Sequence, residues 1–114
     1  MNNCPDTSTP RVFFDLLLDE CIRRGASDLH LTSDQVPCYR EQGQVVMSDQ
    51  AAISAELLAE LIGDICNPFQ REHFQQHLSV DIGYSNAAGE RFRINAYHQL
   101  GSPAIAVRHL DQRM

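Results

Sequence analysis

The chain has 114 residues, 43% hydrophobic and 21% charged, which fits one compact globular domain and excludes a disordered polar tail. Fifteen acidic and nine basic residues give a formal net charge of -6, which disfavours general binding to nucleic acid or to anionic lipid. No stretch approaches the roughly 18 consecutive apolar residues that a membrane-spanning helix needs.

The basic residues of the chain are all arginine, and lysine is absent. A Walker A loop needs its lysine to reach the terminal phosphates of a nucleotide, and the six scattered glycines form no GxGxxG pattern. The chain is therefore excluded as a self-sufficient P-loop enzyme. Because arginine is suited to planar, bidentate contacts with anions, each arginine position has to be considered separately.

The four cysteines are far apart in the sequence and form no CxxC pair, so no zinc site or other metal site is predicted. The N-terminus lacks the charged-then-apolar order of a secretory signal, and we therefore expect reduced thiols in the cytosol. Cys21 falls on an apolar helical face and is predicted to be a core residue.

Three helices are predicted from cap residues and apolar spacing. The first begins near Thr9-Pro10 and ends at Gly25, and its buried stripe is Phe14, Leu17, Leu18 and Cys21. The second is capped by Ser54, and its buried stripe is Leu57, Leu58, Leu61, Ile62 and Ile65. The third begins at Asn67-Pro68, runs to about Gln76 and is expected to bury Phe69 and Phe74.

Residues 27–32 alternate as in a strand, with Leu29 and Leu31 on one face and Asp28 and His30 on the other. Five further strands are predicted at 36–42, 44–47, 79–85, 91–99 and 104–110. Since connections of hairpin length join most of these strands, we predict an α+β fold with an antiparallel sheet and about three helices packed mainly on one face.

The last hairpin brings two arginines together. A turn centred between Leu100 and Gly101 places Arg93 directly opposite Arg108 on the polar face of the sheet, with their Cβ atoms roughly 5 Å apart. A tight two-residue turn and a four-residue loop at this centre give the same register, and the four-residue loop accommodates Leu100 better.

Two like charges facing each other on a sheet are destabilising unless something neutralises them. One interpretation is structural, with an acidic side chain on a neighbouring strand, such as Asp81, neutralising the pair. The other is an anion site in which the two guanidinium groups bind phosphate oxygens. Tyr39 and Tyr97 could stack on an adenine if they line the same cleft.

Four segments occur in the order found in PilT-like ATPases, which the chain resembles from about residue 11 to residue 110. They are GASDLHL at 25–31, YRxxG at 39–43, GxRFRINA at 89–96 and AIAVR at 104–108. PilT-like ATPases are the retraction and assembly motors of type IV pili and are related to the type II secretion ATPases.

The resemblance implies a PAS-like N-terminal domain at residues 11–110. It also implies a disordered leader at 1–10 and, at 111–114, the start of a link to an absent RecA-like motor domain. The full-length protein would be a hexameric ATPase using ATP and Mg, whereas this chain would bind no cofactor alone and would not turn over. By the same resemblance, Arg93 and Arg108 reach the nucleotide phosphates held by the motor domain.

The expected partners are the motor domain, neighbouring subunits and the pilus or secretion machinery, which implies a cytoplasmic location peripheral to the inner membrane. Asp28 and His30 share the polar face of the first strand, where we expect a domain interface. An alternative function is a stand-alone PAS-like sensor, which would hold a small ligand in an internal cavity with convergent polar groups.

Overall fold

The computed structural model describes residues 10–110. Its elements, in chain order, are α1 (Pro10–Arg23), β1 (Asp28–Thr32), β2 (Cys38–Glu41), β3 (Gln44–Met47), α2 (Ala55–Ile65), α3 (Pro68–His77), β4 (Ser79–Ser85), β5 (Arg91–Gln99) and β6 (Ser102–Leu110). The predicted leader, apart from Pro10, and the predicted link at 111–114 lie outside the described residues.

The six strands form one antiparallel sheet in the order β3-β2-β1-β6-β5-β4. Its apolar face packs with α1 and α2 around a single core, in which Leu29 and Leu31 of β1 are both 0% exposed. The predicted α+β class is confirmed, with three helices and the alternation expected for β1. No helix within residues 10–110 is long and apolar enough to cross a bilayer.

Helix α1 buries the stripe that its spacing predicts, and the four buried residues are Phe14, Leu17, Leu18 and Cys21. Burial raises the pKa of the Cys21 thiol to about 11, so this thiol is protonated at neutral pH. Cys21 is therefore a core residue, as predicted. After the helix, Gly25 has a φ of 67°, a left-handed conformation that favours glycine.

Helices α2 and α3 begin at the predicted caps. The Ser54 side chain accepts a hydrogen bond from the Leu57 backbone N–H, and the side chains of Asn67 and Gln70 form a capping box. The burial predicted for Phe69 is wrong, because its side chain lies in the first turn of α3 on the outer side and is 81% exposed. None of the residues of α3 is fully buried, so this helix lies at the margin of the core.

The connection between β5 and β6 is the shorter of the two loops that the register allows. Gln99 pairs with Ser102, which leaves a two-residue turn formed by Leu100 and Gly101. Both turn residues have positive φ, 54° for Leu100 and 82° for Gly101, as the tight hairpin geometry requires. Leu100 is 98% exposed, so no packing of its side chain within the described residues compensates for the unfavourable backbone.

We expect Leu100→Gly to raise the free energy of unfolding by about 1 kcal/mol, because glycine adopts the left-handed conformation without the steric penalty of a Cβ. Thermal or urea unfolding of the chain measures this change. Leu100→Ala is the matched control, since it removes the exposed apolar side chain but keeps the Cβ. Equal stabilisation by both substitutions would contradict backbone strain as the cause.

Candidate functional site

The face of the sheet opposite the helices, here called the open face, carries polar and small side chains. On the central strands, Asp28 and His30 of β1 lie beside Ala106 and Arg108 of β6. In the part of the chain that the structure describes, the helices pack against the other face.

Four charged residues lie side by side across the open face. The ladder pairs Arg40 with Asp28, Asp28 with Arg108, and Arg108 with Arg93. We call this set the arginine row. It combines three guanidinium groups with one carboxylate, so it is a locally cationic strip on a chain whose net charge is -6.

The register that places Arg93 opposite Arg108 is the one predicted from the sequence. Facing residues on neighbouring antiparallel strands have Cβ atoms ~5 Å apart, which brings two guanidinium groups within reach of one phosphate group. The Arg108 side chain is 71% exposed, and Arg93 is exposed as well. Both can therefore meet an anion that approaches the open face.

The acidic partner within the row is Asp28. Its Oδ2 atom lies 3.3 Å from Nε of Arg108, and its Oδ1 atom accepts a hydrogen bond of 2.6 Å from the Ser27 hydroxyl. Asp28 is the one charged residue among the buried side chains of residues 10–110. It offsets part of the repulsion within the pair.

Asp81 was considered from the sequence as the acidic side chain that neutralises the arginine pair. The structure gives it a different partner. Its Oδ1 atom accepts a hydrogen bond of 3.0 Å from the Asn95 side chain. Among the described residues, Arg93 takes part in no ion pair. Within residues 10–110, an ion pair therefore neutralises Arg108, through Asp28 of β1, and no ion pair neutralises Arg93.

A shallow pocket of about 370 Å³ lies over this part of the open face. Its lining residues are Asp28, His30, Asp81, Arg93, Ile94, Asn95, Ala106 and Arg108. It contains all four candidate residues from the sequence: Arg93, Arg108, Asp28 and His30. The small side chain of Ala106 leaves space between them.

The two tyrosines considered for adenine stacking lie on opposite faces of the sheet. Tyr39 is 0% exposed in the core, where its hydroxyl donates to the Leu17 carbonyl and the Arg24 guanidinium lies 4.6 Å from its ring. Tyr97 is paired with Ala104 on the open face. They cannot form a common stacking cleft, and that hypothesis is wrong.

Arg40 is not among the site residues that the sequence indicates, and only the structure shows its place in the row. Its register with Asp28 depends on the connection between β1 and β2, residues 33–37, which contains the left-handed Asp34 and an isolated bridge from Gln35 to Ile53. Such an irregular connection has no turn signature from which the pairing could be derived.

The fold and this site together define the class: an α+β domain whose helices cover one sheet face and whose other face presents facing arginines. No family model matches the chain. It is 35% identical over 98 residues to the type IV pilus retraction ATPase PilT of Pseudomonas aeruginosa, an alignment covering 86% of this chain and 28% of that protein.

Two solved structures share the fold. The pilus retraction motor PilT with bound ADP matches with a TM-score of 0.80 and 26% identity, over 88% of this chain and 29% of PilT. The ATPase DotB of Legionella pneumophila matches with a TM-score of 0.76 and 23% identity, over 90% of this chain and 29% of DotB. The chain therefore matches an N-terminal domain of PilT-like ATPases, and it spans less than a third of their length.

Proposed function

We propose that this domain presents Arg93 and Arg108 to the phosphates of a nucleotide held by a RecA-like motor domain of a type IV pilus or secretion ATPase. The observation that carries the proposal is the direct pairing of two exposed arginines on the open face, only one of which has an ion-pair partner among residues 10–110. A structural pair neutralised on both sides would not leave Arg93 available.

The chemistry of the two side chains fits phosphate. Guanidinium groups form charge-assisted, often bidentate hydrogen bonds with phosphate oxygens, and they remain protonated at every physiological pH. As phosphoryl transfer proceeds, negative charge redistributes over the transferred group, and fixed cations stabilise that transition state. Arg93 and Arg108 would therefore act on hydrolysis without forming a bond to the nucleotide.

The remaining catalytic groups would belong to the motor domain. This chain has no lysine, so the lysine that contacts the terminal phosphates and the ligands of Mg would be supplied there. The PilT structure contains ADP, which supports a nucleotide as the ligand in this class of protein. The chain alone is expected to have no turnover, while the full-length protein would use ATP and Mg.

The same contact would couple nucleotide state to movement. When the terminal phosphate is lost, the arginines lose part of their ligand, and the balance between two positions of this domain on the motor shifts accordingly. Asp28 faces Arg108 and His30 faces Ala106 on the open face, and we propose that this area forms the interface with the motor domain.

The partners follow from this assignment. They are the motor domain, neighbouring subunits of a hexamer and the pilus or secretion machinery, which would place the protein in the cytoplasm at the inner membrane. The alternative sensor function needs an enclosed ligand cavity, but the pocket that collects the candidate residues lies outside the core on the open face.

The proposal is tested on the chain itself with inorganic triphosphate as the probe, followed by NMR chemical shifts. Arg93→Gln and Arg108→Gln should each weaken binding about tenfold, since a hydrogen bond to a charged group contributes ~1.5 kcal/mol or more. Arg71→Gln is the matched control, because this arginine lies on α3 in the helix layer and its guanidinium donates to the Gly63 carbonyl. Equal weakening by all three substitutions would indicate general charge attraction and contradict the site.

A further inference from the structure

The arginine row already contains an anion of its own. Asp28 lies between two arginines in the ladder, and its carboxylate forms an ion pair with Arg108 at 3.3 Å. A phosphate group that binds both Arg93 and Arg108 must therefore approach a site where one of the two guanidinium groups is occupied.

The two members of this ion pair differ in solvent exposure. The Asp28 side chain is 12% exposed and is also held by the Ser27 hydroxyl, whereas the Arg108 side chain is 71% exposed. The carboxylate is thus anchored in the sheet, and the long arginine side chain can change its direction. Any exchange of partners would be made by Arg108.

We infer that Asp28 is a resident counter-ion of Arg108. It holds Arg108 while the site is empty, and an incoming phosphate group displaces Arg108 from it. This inference rests on the proposed function and adds a regulatory residue to the same site. The unpaired Arg93 makes the first contact with the phosphate, and Arg108 follows by leaving Asp28. Asp28 thereby lowers the affinity of the site and ties the position of Arg108 to its occupancy.

Arg40 makes this exchange feasible. It faces Asp28 from the side opposite Arg108, and one of its Nη atoms now donates to the Gly43 carbonyl at 3.3 Å, an exposed hydrogen bond. After Arg108 leaves, Asp28 still has a cation opposite it on β2 as well as the Ser27 hydroxyl. A buried carboxylate without a partner would be unfavourable, and this arrangement avoids it.

The test compares the affinity of the Asp28→Asn and Asp81→Asn variants of this chain for inorganic triphosphate. Both substitutions remove one negative charge from the lining of the same pocket, but only Asp28 is bonded to an arginine. We expect Asp28→Asn to tighten triphosphate binding about fivefold, and Asp81→Asn by less than about twofold, because an exposed charge acts weakly through solvent.

Repeating the Asp28→Asn substitution in two arginine variants distinguishes competition between Asp28 and phosphate for Arg108 from simple charge repulsion. In an Arg108→Gln background the gain from Asp28→Asn should disappear, while in an Arg93→Gln background it should persist. A gain that survives Arg108→Gln, or one that Asp81→Asn reproduces, overturns the role of Asp28 and leaves the proposed function intact. If neither arginine substitution weakens triphosphate binding, the proposed function fails, and the role of Asp28 with it.

Discussion

Leu17→Ala should lower the free energy of unfolding by about 2–5 kcal/mol, the usual range for truncating a buried leucine. Leu17 is 3% exposed in the stripe of α1 that packs into the core, so removing three side-chain carbons leaves a cavity. Urea denaturation followed by circular dichroism measures the change. A loss of this size is a substantial part of the roughly 5–15 kcal/mol by which small domains are stable.

The neighbouring Leu16 provides a matched control. It has the same side chain on the same helix but is 53% exposed, so Leu16→Ala should change stability by less than about 0.5 kcal/mol. A loss for Leu17→Ala no larger than that for Leu16→Ala would contradict the packing of α1 described here.

In the full-length ATPase to which we assign this domain, Arg93→Ala and Arg108→Ala should each lower the steady-state rate of ATP hydrolysis about 100-fold or more. Removing a preorganised charge that stabilises a transition state has effects of ~10²–10³ in kcat. The stability of the isolated chain should change little. Arg93→Ala removes a like charge that has no ion pair among residues 10–110. Arg108→Ala removes an ion pair whose arginine is exposed, and the buried Asp28 keeps the Ser27 hydroxyl and faces Arg40 on β2.

Arginine-to-lysine substitutions at the same positions test geometry separately from charge. Lysine keeps the positive charge but lacks the planar fork, so a bidentate contact with phosphate would still lose most of its effect on hydrolysis. Thermal unfolding of the chain and turnover of the ATPase are measured on the same variants. If the melting temperatures fall and turnover holds, the two arginines are structural.

The last hairpin was predictable because its information is local. In an antiparallel pair, the positions of facing residues add to a constant, so the centre at Leu100 and Gly101 determines every pair up to Arg93 and Arg108. The length of the turn was not predictable in this way. A two-residue turn requires left-handed φ at both positions, and leucine is an unfavourable residue there.

The partner of Arg108 could not be derived from the sequence, because Asp28 reaches it through the non-local pairing of β1 with β6. Local patterns identify each strand but do not show which strands become neighbours.

The error at Phe69 has a related cause. An aromatic residue in an amphipathic helix predicts burial only where a second layer covers it, and the outer side of α3 is uncovered.

The strand order also has a consequence for folding kinetics. The sheet consists of two three-stranded meanders, β1–β3 and β4–β6, each built from sequential neighbours, and only the β1–β6 ladder joins them. Asp28 and Arg108 are 80 positions apart, so this ladder closes the longest loop in the sheet and should form last. Arg93 and Arg108 therefore face each other early, within a local hairpin, and the carboxylate that relieves their repulsion arrives only when the two halves dock. We therefore expect the arginine row to be completed in the same step that completes the domain.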